Sequence, residues 1–172
     1  GVWELVDDRD IKRNIHSVME IHHRNKLSIS QGQVSGVLDL VKTECFNQGH
    51  EFNLDKVRIN CLNGELKYVG GKWFLEPHVR EHYRTTQISV MYAPKSVAPL
   101  FKKFLEEIFE DDIEKIEKIT LVMECIGYTL TSSCDDEKFI MLIGRGANGK
   151  SVLLSVLEGL IGRRNISAVQ PS

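Results

Sequence analysis

The sequence predicts a mixed α+β chain in three parts. Helices with a short antiparallel meander occupy residues 1–95, a helical stretch follows over 96–136, and residues 137–172 hold the first strand, loop and helix of an α/β domain. Three observations predict it. Apolar residues recur at helical spacing in several separate stretches, and between them, from Val57 to Tyr92, the period changes to two. Near the C-terminal end an unbroken apolar run, Phe139-Ile140-Met141-Leu142-Ile143, leads into a glycine-rich loop and a last helical pattern.

Composition sets the outer bounds. With 172 residues, 42% of them hydrophobic, there is ample core for one domain or two small ones. No apolar run approaches the roughly 20 residues that a bilayer span needs, and no signal-peptide pattern opens the chain, so no membrane role is expected. The net charge of −2 excludes an overall basic field, leaving any nucleic-acid contact to local patches. Cys45, Cys61, Cys125 and Cys134 form no C-x-x-C pair and are expected as buried or free thiols in a reducing cytosol.

The elements follow in order. Gly1 to Val6 alternates like a strand, and Trp3 would need a sheet to cover it. Asp7-Asp8-Arg9-Asp10 starts a helix, since carboxylates suit a first turn, and Ile11, Ile15, Val18 and Met19 make one stripe. The basic end His22-His23-Arg24-Asn25-Lys26 suits the negative pole of that helix, with a nucleic-acid patch as the second reading. Ser28 to Ser30 caps a second helix with Val34, Val37, Leu38, Val41 and Cys45 inward. Val57, Ile59 and Cys61 then alternate, Asn63-Gly64 marks a hairpin, and Glu65 to Tyr68 returns. Gly70-Gly71 turns into Lys72 to Leu75, and Gln87 to Tyr92 forms a further strand.

His78-Val79-Arg80-Glu81-His82 matches the zinc pattern H-x-x-E-H, but that chemistry needs both imidazoles one helical turn apart. Pro77 and the flanking strand signals argue for a loop with exposed histidines instead, where Arg80, His82, Tyr83 and Arg84 are weak candidates for a nucleic-acid backbone contact. Ala93-Pro94-Lys95-Ser96 breaks the sheet pattern and marks a domain boundary. Pro99 opens a helix with Leu100, Phe101, Phe104, Leu105, Ile108 and Phe109 on one stripe. Asp111 with Glu114 resembles a capping box for a longer helix through Ile113, Ile116, Ile119, Met123, Ile126 and Leu130.

The sharpest signal is Gly144-Arg145-Gly146-Ala147-Asn148-Gly149-Lys150-Ser151, which fits G-x-x-x-x-G-K-[ST] without a mismatch. Polyphosphate is held by backbone N–H groups that only a loop with few side chains points at one spot, and the next helix adds unpaired amides and its positive pole. Lys150 would reach the β and γ phosphates and the Ser151 hydroxyl would ligate Mg²⁺. Val152, Leu153, Val156, Leu157, Leu160 and Ile161 continue as that helix, stopping at Gly162.

These residues together carry a resemblance. Ile59-Asn60-Cys61-Leu62-Asn63-Gly64-Glu65-Leu66, Pro94, Phe104 to Phe109, Ile126-Gly127-Tyr128-Thr129-Leu130-Thr131 and the loop 144–151 stand in the order found in phage and plasmid primase-helicases. The chain resembles these superfamily 3 helicases, which share a helicase region with the poxvirus primase-helicase, over residues 1–162. The resemblance implies an ATP-dependent replicative DNA helicase using ATP and Mg²⁺, acting on single-stranded or forked DNA. It also implies a hexamer with ATPase sites between subunits, a primase domain in cis, and a cytoplasmic protein of a phage, prophage or plasmid, or of a virus. By position, 1–95 is similar to the domain before the motor, 96–136 to its helical collar, and 137–172 to the start of an AAA+-like P-loop ATPase. Gly144 to Ser151 are then nucleotide-binding residues, with Lys150 catalytic and Ser151 the Mg²⁺ ligand.

Two positions depart from the pattern: Arg145 stands where a small residue or proline is usual, and Val152 where Thr is frequent. The acidic strand, polar sensor and arginine that hydrolysis needs are not in these residues, so the expectation is an inactive fragment of a longer enzyme. Two further readings remain open: a non-catalytic DNA-binding or oligomerisation module, and a P-loop kinase.

Overall fold

In a computed structural model, the structure describes residues 2–22, 29–144, 146, 148–168. The described residues hold five α-helices and one three-stranded antiparallel sheet in two compact units, Glu4–Glu51 and Gly1–Trp3 with Phe52–Ser172. None of these helices is long and apolar enough to cross a membrane.

The first unit is a helix pair, α1 (Asp8–His22) and α2 (Gln31–Glu44). Asp8 and Asp10 lie in the first turn of α1, where its dipole favours them. Ser30 caps α2 in a full capping box: its hydroxyl accepts from the Gln33 amide at 3.3 Å, and the Gln33 side chain accepts from the Ser30 amide at 2.8 Å. Lys42 near the end of α2 reaches Asp8 at the start of α1 at 2.5 Å, which sets the two helices antiparallel. The inward stripe is narrower than the spacing predicts. Val34 and Leu38 are buried, but Val18, Val41 and Cys45 face solvent, because a two-helix unit has only one face to cover. The basic run His23 to Lys26 lies outside the described residues.

The second unit is built on β1 (Ile59–Cys61), β2 (Gly64–Val69) and β3 (Lys72–Glu76), in that spatial order. The first hairpin turns one residue earlier than its Asn-Gly signal implies. Cys61 pairs with Gly64, so Leu62 and Asn63 form the turn. Asn63 is held there by its own side chain, which donates to the Tyr92 carbonyl and accepts from the Tyr92 amide, both at 2.9 Å. Gly64 remains obligatory: its φ is +150°, and a Cβ would stand 2.4 Å from the Glu76 carbonyl oxygen.

The expected strand Gln87–Tyr92 is not one. This segment runs beside β1 in the same direction, donating from Ile88 to Asn60 (2.9 Å) and accepting at Val90 from Leu62 (3.0 Å), without a regular ladder. On the side away from β1 the segment meets a helix and not a strand, the Ser89 amide donating to the Leu160 carbonyl (3.1 Å). Even so, Ile88 joins Ile59, Cys61 and Leu66 in the core, with Val90, Tyr92 and Leu130 packed against it.

Residues 2–6 form no strand either. Trp3 is covered by the Arg80 guanidinium, 5.0 Å from its ring centre, and by Tyr83 at 5.5 Å, while its indole N–H donates to the Arg80 carbonyl. Three helices follow: α3 (Pro99–Ile108), α4 (Lys115–Thr129) and α5 (Lys150–Ile161). Leu105 and Ile126 are the buried residues of α3 and α4, while Leu100, Ile113, Ile116 and Met123 are exposed, so the sequence stripe overstates the inward face. Asp112, not Asp111, serves the start of α4, accepting from the Glu114 amide at 2.9 Å.

Candidate functional site

Two constellations carry chemistry. The first is the start of α5. Gly149 is its N-cap with φ 82°, and a Cβ there would lie 2.8 Å from Ile108 and 3.0 Å from Phe104, so α3 packs directly on this loop glycine. The Leu153 amide closes the first helical bond onto Gly149, so the positive pole of the helix lies at this loop. The Lys150 ammonium folds back over the loop, donating to the Gly144 carbonyl at 3.0 Å and to Asn148 Oδ1 at 2.5 Å. Gly146, Asn148, Gly149, Lys150, Ser151 and Val152 line a hollow of about 380 Å³ here, with Ser151 exposed.

Of the residues the motif singles out, Gly144, Gly146, Asn148, Gly149, Lys150 and Ser151 therefore lie together; Arg145 and Ala147 fall outside the described residues. The preceding strand does not form. Phe139 to Ile143 pair with no strand among the described residues, and Phe139 and Ile143 are 83% and 84% exposed. An apolar run becomes a strand only beside another strand, and the sheet of β1 to β3 lies elsewhere in the fold. Sequence reasoning takes Asp112, with Asp111, as a helix cap and missed Lys118; the two line an adjoining hollow of about 320 Å³ with Gly149 and Lys150. They bond at 2.6 Å, an interaction that holds the Asp112 carboxyl below its usual range and pushes the Lys118 ammonium up. Nothing in the helical period marks them, because the pairing is set by the turn before α4.

The second constellation is buried in the sheet. Glu65, on β2, is 1% exposed and receives Arg84 Nε at 3.1 Å and His82 Nδ1 at 3.0 Å. Arg84, 3% exposed, also donates to the Asp55 carbonyl at 2.6 Å. Burial alone would push the Glu65 carboxyl up, but hydrogen bonds and charge from Arg84 and His82 outweigh it and hold the group below the usual carboxylate range. Arg84 is thus spent internally and meets no phosphate, correcting its reading as a surface contact. The histidines are likewise not free loop groups: His78 Nε2 bonds the Cys61 carbonyl at 2.9 Å. A 3-10 turn at Arg80–His82 separates them, and no metal-binding cluster occurs among the described residues.

One comparison with known proteins bears on this geometry. A family model described as "D5 N terminal like" matches residues 1–110. The match takes in α1, α2, the sheet and α3, while the loop 144–151 lies beyond it.

Proposed function

The chain belongs to the D5 N-terminal-like family, the N-terminal domains of D5-like primase-helicase proteins, and on that premise we propose that its loop 144–151 binds ATP with Mg²⁺ as part of a replicative DNA helicase. The observation that carries the reading is the Lys150 ammonium, held over Gly144 and Asn148 at the start of α5. The Gly144 and Asn148 oxygens are neutral, and a phosphate oxygen would add to the same ammonium's hydrogen bond the attraction of opposite full charges. The first turn of α5 adds the positive pole of the helix dipole, aimed at the same anion. Ser151, next along the turn and exposed, is the residue to hold Mg²⁺. The bound nucleotide supplies a phosphoanhydride bond whose hydrolysis would drive unwinding. Lys150 binds and neutralises, Ser151 orients, and Gly149 keeps the backbone close. For the whole primase-helicase we propose ATP-driven unwinding of DNA, with 1–95 preceding the motor and 96–136 as its collar.

The test is titration of the full chain with a fluorescent ATP analogue in Mg²⁺. Lys150→Ala is expected to weaken binding at least about tenfold, the loss of one charge-assisted contact, and Ser151→Ala to weaken it only when Mg²⁺ is present. Equal affinity in the wild type and Lys150→Ala would overturn the assignment.

A further inference from the structure

We propose that the β2–β3 hairpin is a contact for single-stranded DNA, with Tyr68 and Trp73 stacking on unpaired bases and Lys67 and Lys72 holding the backbone. Cross-strand pairing puts Tyr68 opposite Trp73 on one face and Lys67 opposite Phe74, then Val69 opposite Lys72, on the other. The Tyr68 and Trp73 rings lie 5.0 Å apart at 51°, yet remain 53% and 40% exposed. Val69, Phe74 and Leu75 are exposed as well, and among the described residues no strand lies on the outer side of β3. Solvent alone does not favour such a surface at a hairpin end, where polar residues are the ordinary choice.

Charge selects the partner. From Leu66 to Leu75 the hairpin carries two lysines and no carboxylate, in a chain of net charge −2. The carboxylates at its base are already engaged, Glu65 by Arg84 and His82 and Glu76 by Arg58 at 2.6 Å. A positive end with bare aromatic rings fits a polyanion that also offers flat apolar faces. Unpaired bases do so, whereas a duplex keeps its faces stacked. At the tip, Gly70 and Gly71 have open space around them, so a strand can follow the outer edge of β3 past Trp73 and Lys72. The choice of DNA among polyanions rests on the family reading above; the surface itself does not involve the phosphate loop.

The experiment is fluorescence anisotropy of labelled (dT)20 with the full chain, without nucleotide. Replacing both rings (Tyr68→Ala with Trp73→Ala) is expected to weaken binding about tenfold or more, and replacing them with Phe to retain most of it. Lys67→Glu with Lys72→Glu is expected to weaken binding and flatten its salt dependence. The chain has two tryptophans, so Trp3→Phe leaves Trp73 alone, and (dT)20 should quench its emission. Urea midpoints show whether each variant is folded; the exposed positions predict little change. Unaltered affinity in the ring variants, unquenched Trp73, or equal competition by duplex would overturn the proposal. So would a change in sedimentation without a change in DNA affinity, which would assign the hairpin to contact between copies. Lys150→Ala is expected to keep (dT)20 binding, so loss of the nucleotide reading leaves this one standing.

Discussion

Glu65 is the residue on which the sheet unit most depends. Its carboxylate accepts from Arg84 Nε at 3.1 Å, and the two residues are 1% and 3% exposed. Removing one member of such a buried pair leaves the other charged and desolvated, so Glu65→Ala is expected to cost about 3 kcal/mol or more in urea unfolding. Gly149 carries a different constraint. Its backbone is left-handed and an added Cβ would meet Ile108 at 2.8 Å and Phe104 at 3.0 Å, so Gly149→Ala is expected to destabilise by about 1–3 kcal/mol, read from the same urea midpoints. Neither cost was legible in the residues. Position 65 reads as an outward polar site on an alternating strand, because the period of two says which residues share a face, not which loop folds over it. For Gly149 the motif supplies the need for glycine through its phosphate, while the contact with α3 is visible only in three dimensions.

At the scale of elements, helices were the most legible, since a helix satisfies its own backbone and needs only one covered face. The α2 cap shows how local that information is. Ser30 and Gln33 sit at the spacing of a capping box and form one, so Ser30→Ala is expected to lower stability by about 1 kcal/mol, seen in urea unfolding followed by circular dichroism. Strands were legible only where a turn brought the partner alongside, as from Ile59 to Glu76. Gln87–Tyr92 and Phe139–Ile143 have the right composition and fail for want of a regular neighbour. On the edge away from β1, Ser89 bonds a helix: its hydroxyl donates to the Gly159 carbonyl at 2.5 Å and its amide to Leu160, tying it to the last turn of α5. Ser89→Ala is therefore expected to speed hydrogen exchange of the Ser89 amide and of the Gly162 amide that closes α5, leaving exchange in α2 unchanged.

For the whole molecule, the acid response is set by carboxylates bound to cations. Hydrogen bonds from Arg58, Lys118 and Lys56 hold Glu76, Asp112 and Asp135 below their ordinary values, and Arg84 with His82 does so for Glu65 against its burial. Each folded value lies below the unfolded one, so the unfolded chain binds more protons through the window between them. Stability is complete above the ordinary carboxylate range and is lost as pH falls through the folded values. Thermal unfolding is expected to show a midpoint that falls steadily below about pH 4.5, with Glu65→Gln flattening the slope. The missing strand at 139–143 is also a whole-molecule matter, since five apolar residues promise a central strand that no local rule can supply with neighbours.

The helix that starts after Gly149 is gripped at both ends. Its first residue follows a glycine wedged on Phe104 and Ile108, and its last turn is stapled to Ser89, with Asn165 donating to the Gln87 and Ile161 carbonyls at 2.8 Å. Twelve residues of helix make a strut about 18 Å long. A strut fixed at two supports cannot yield at one and stay still at the other, so the anion proposed for its first turn would load the main chain beside β1 as well.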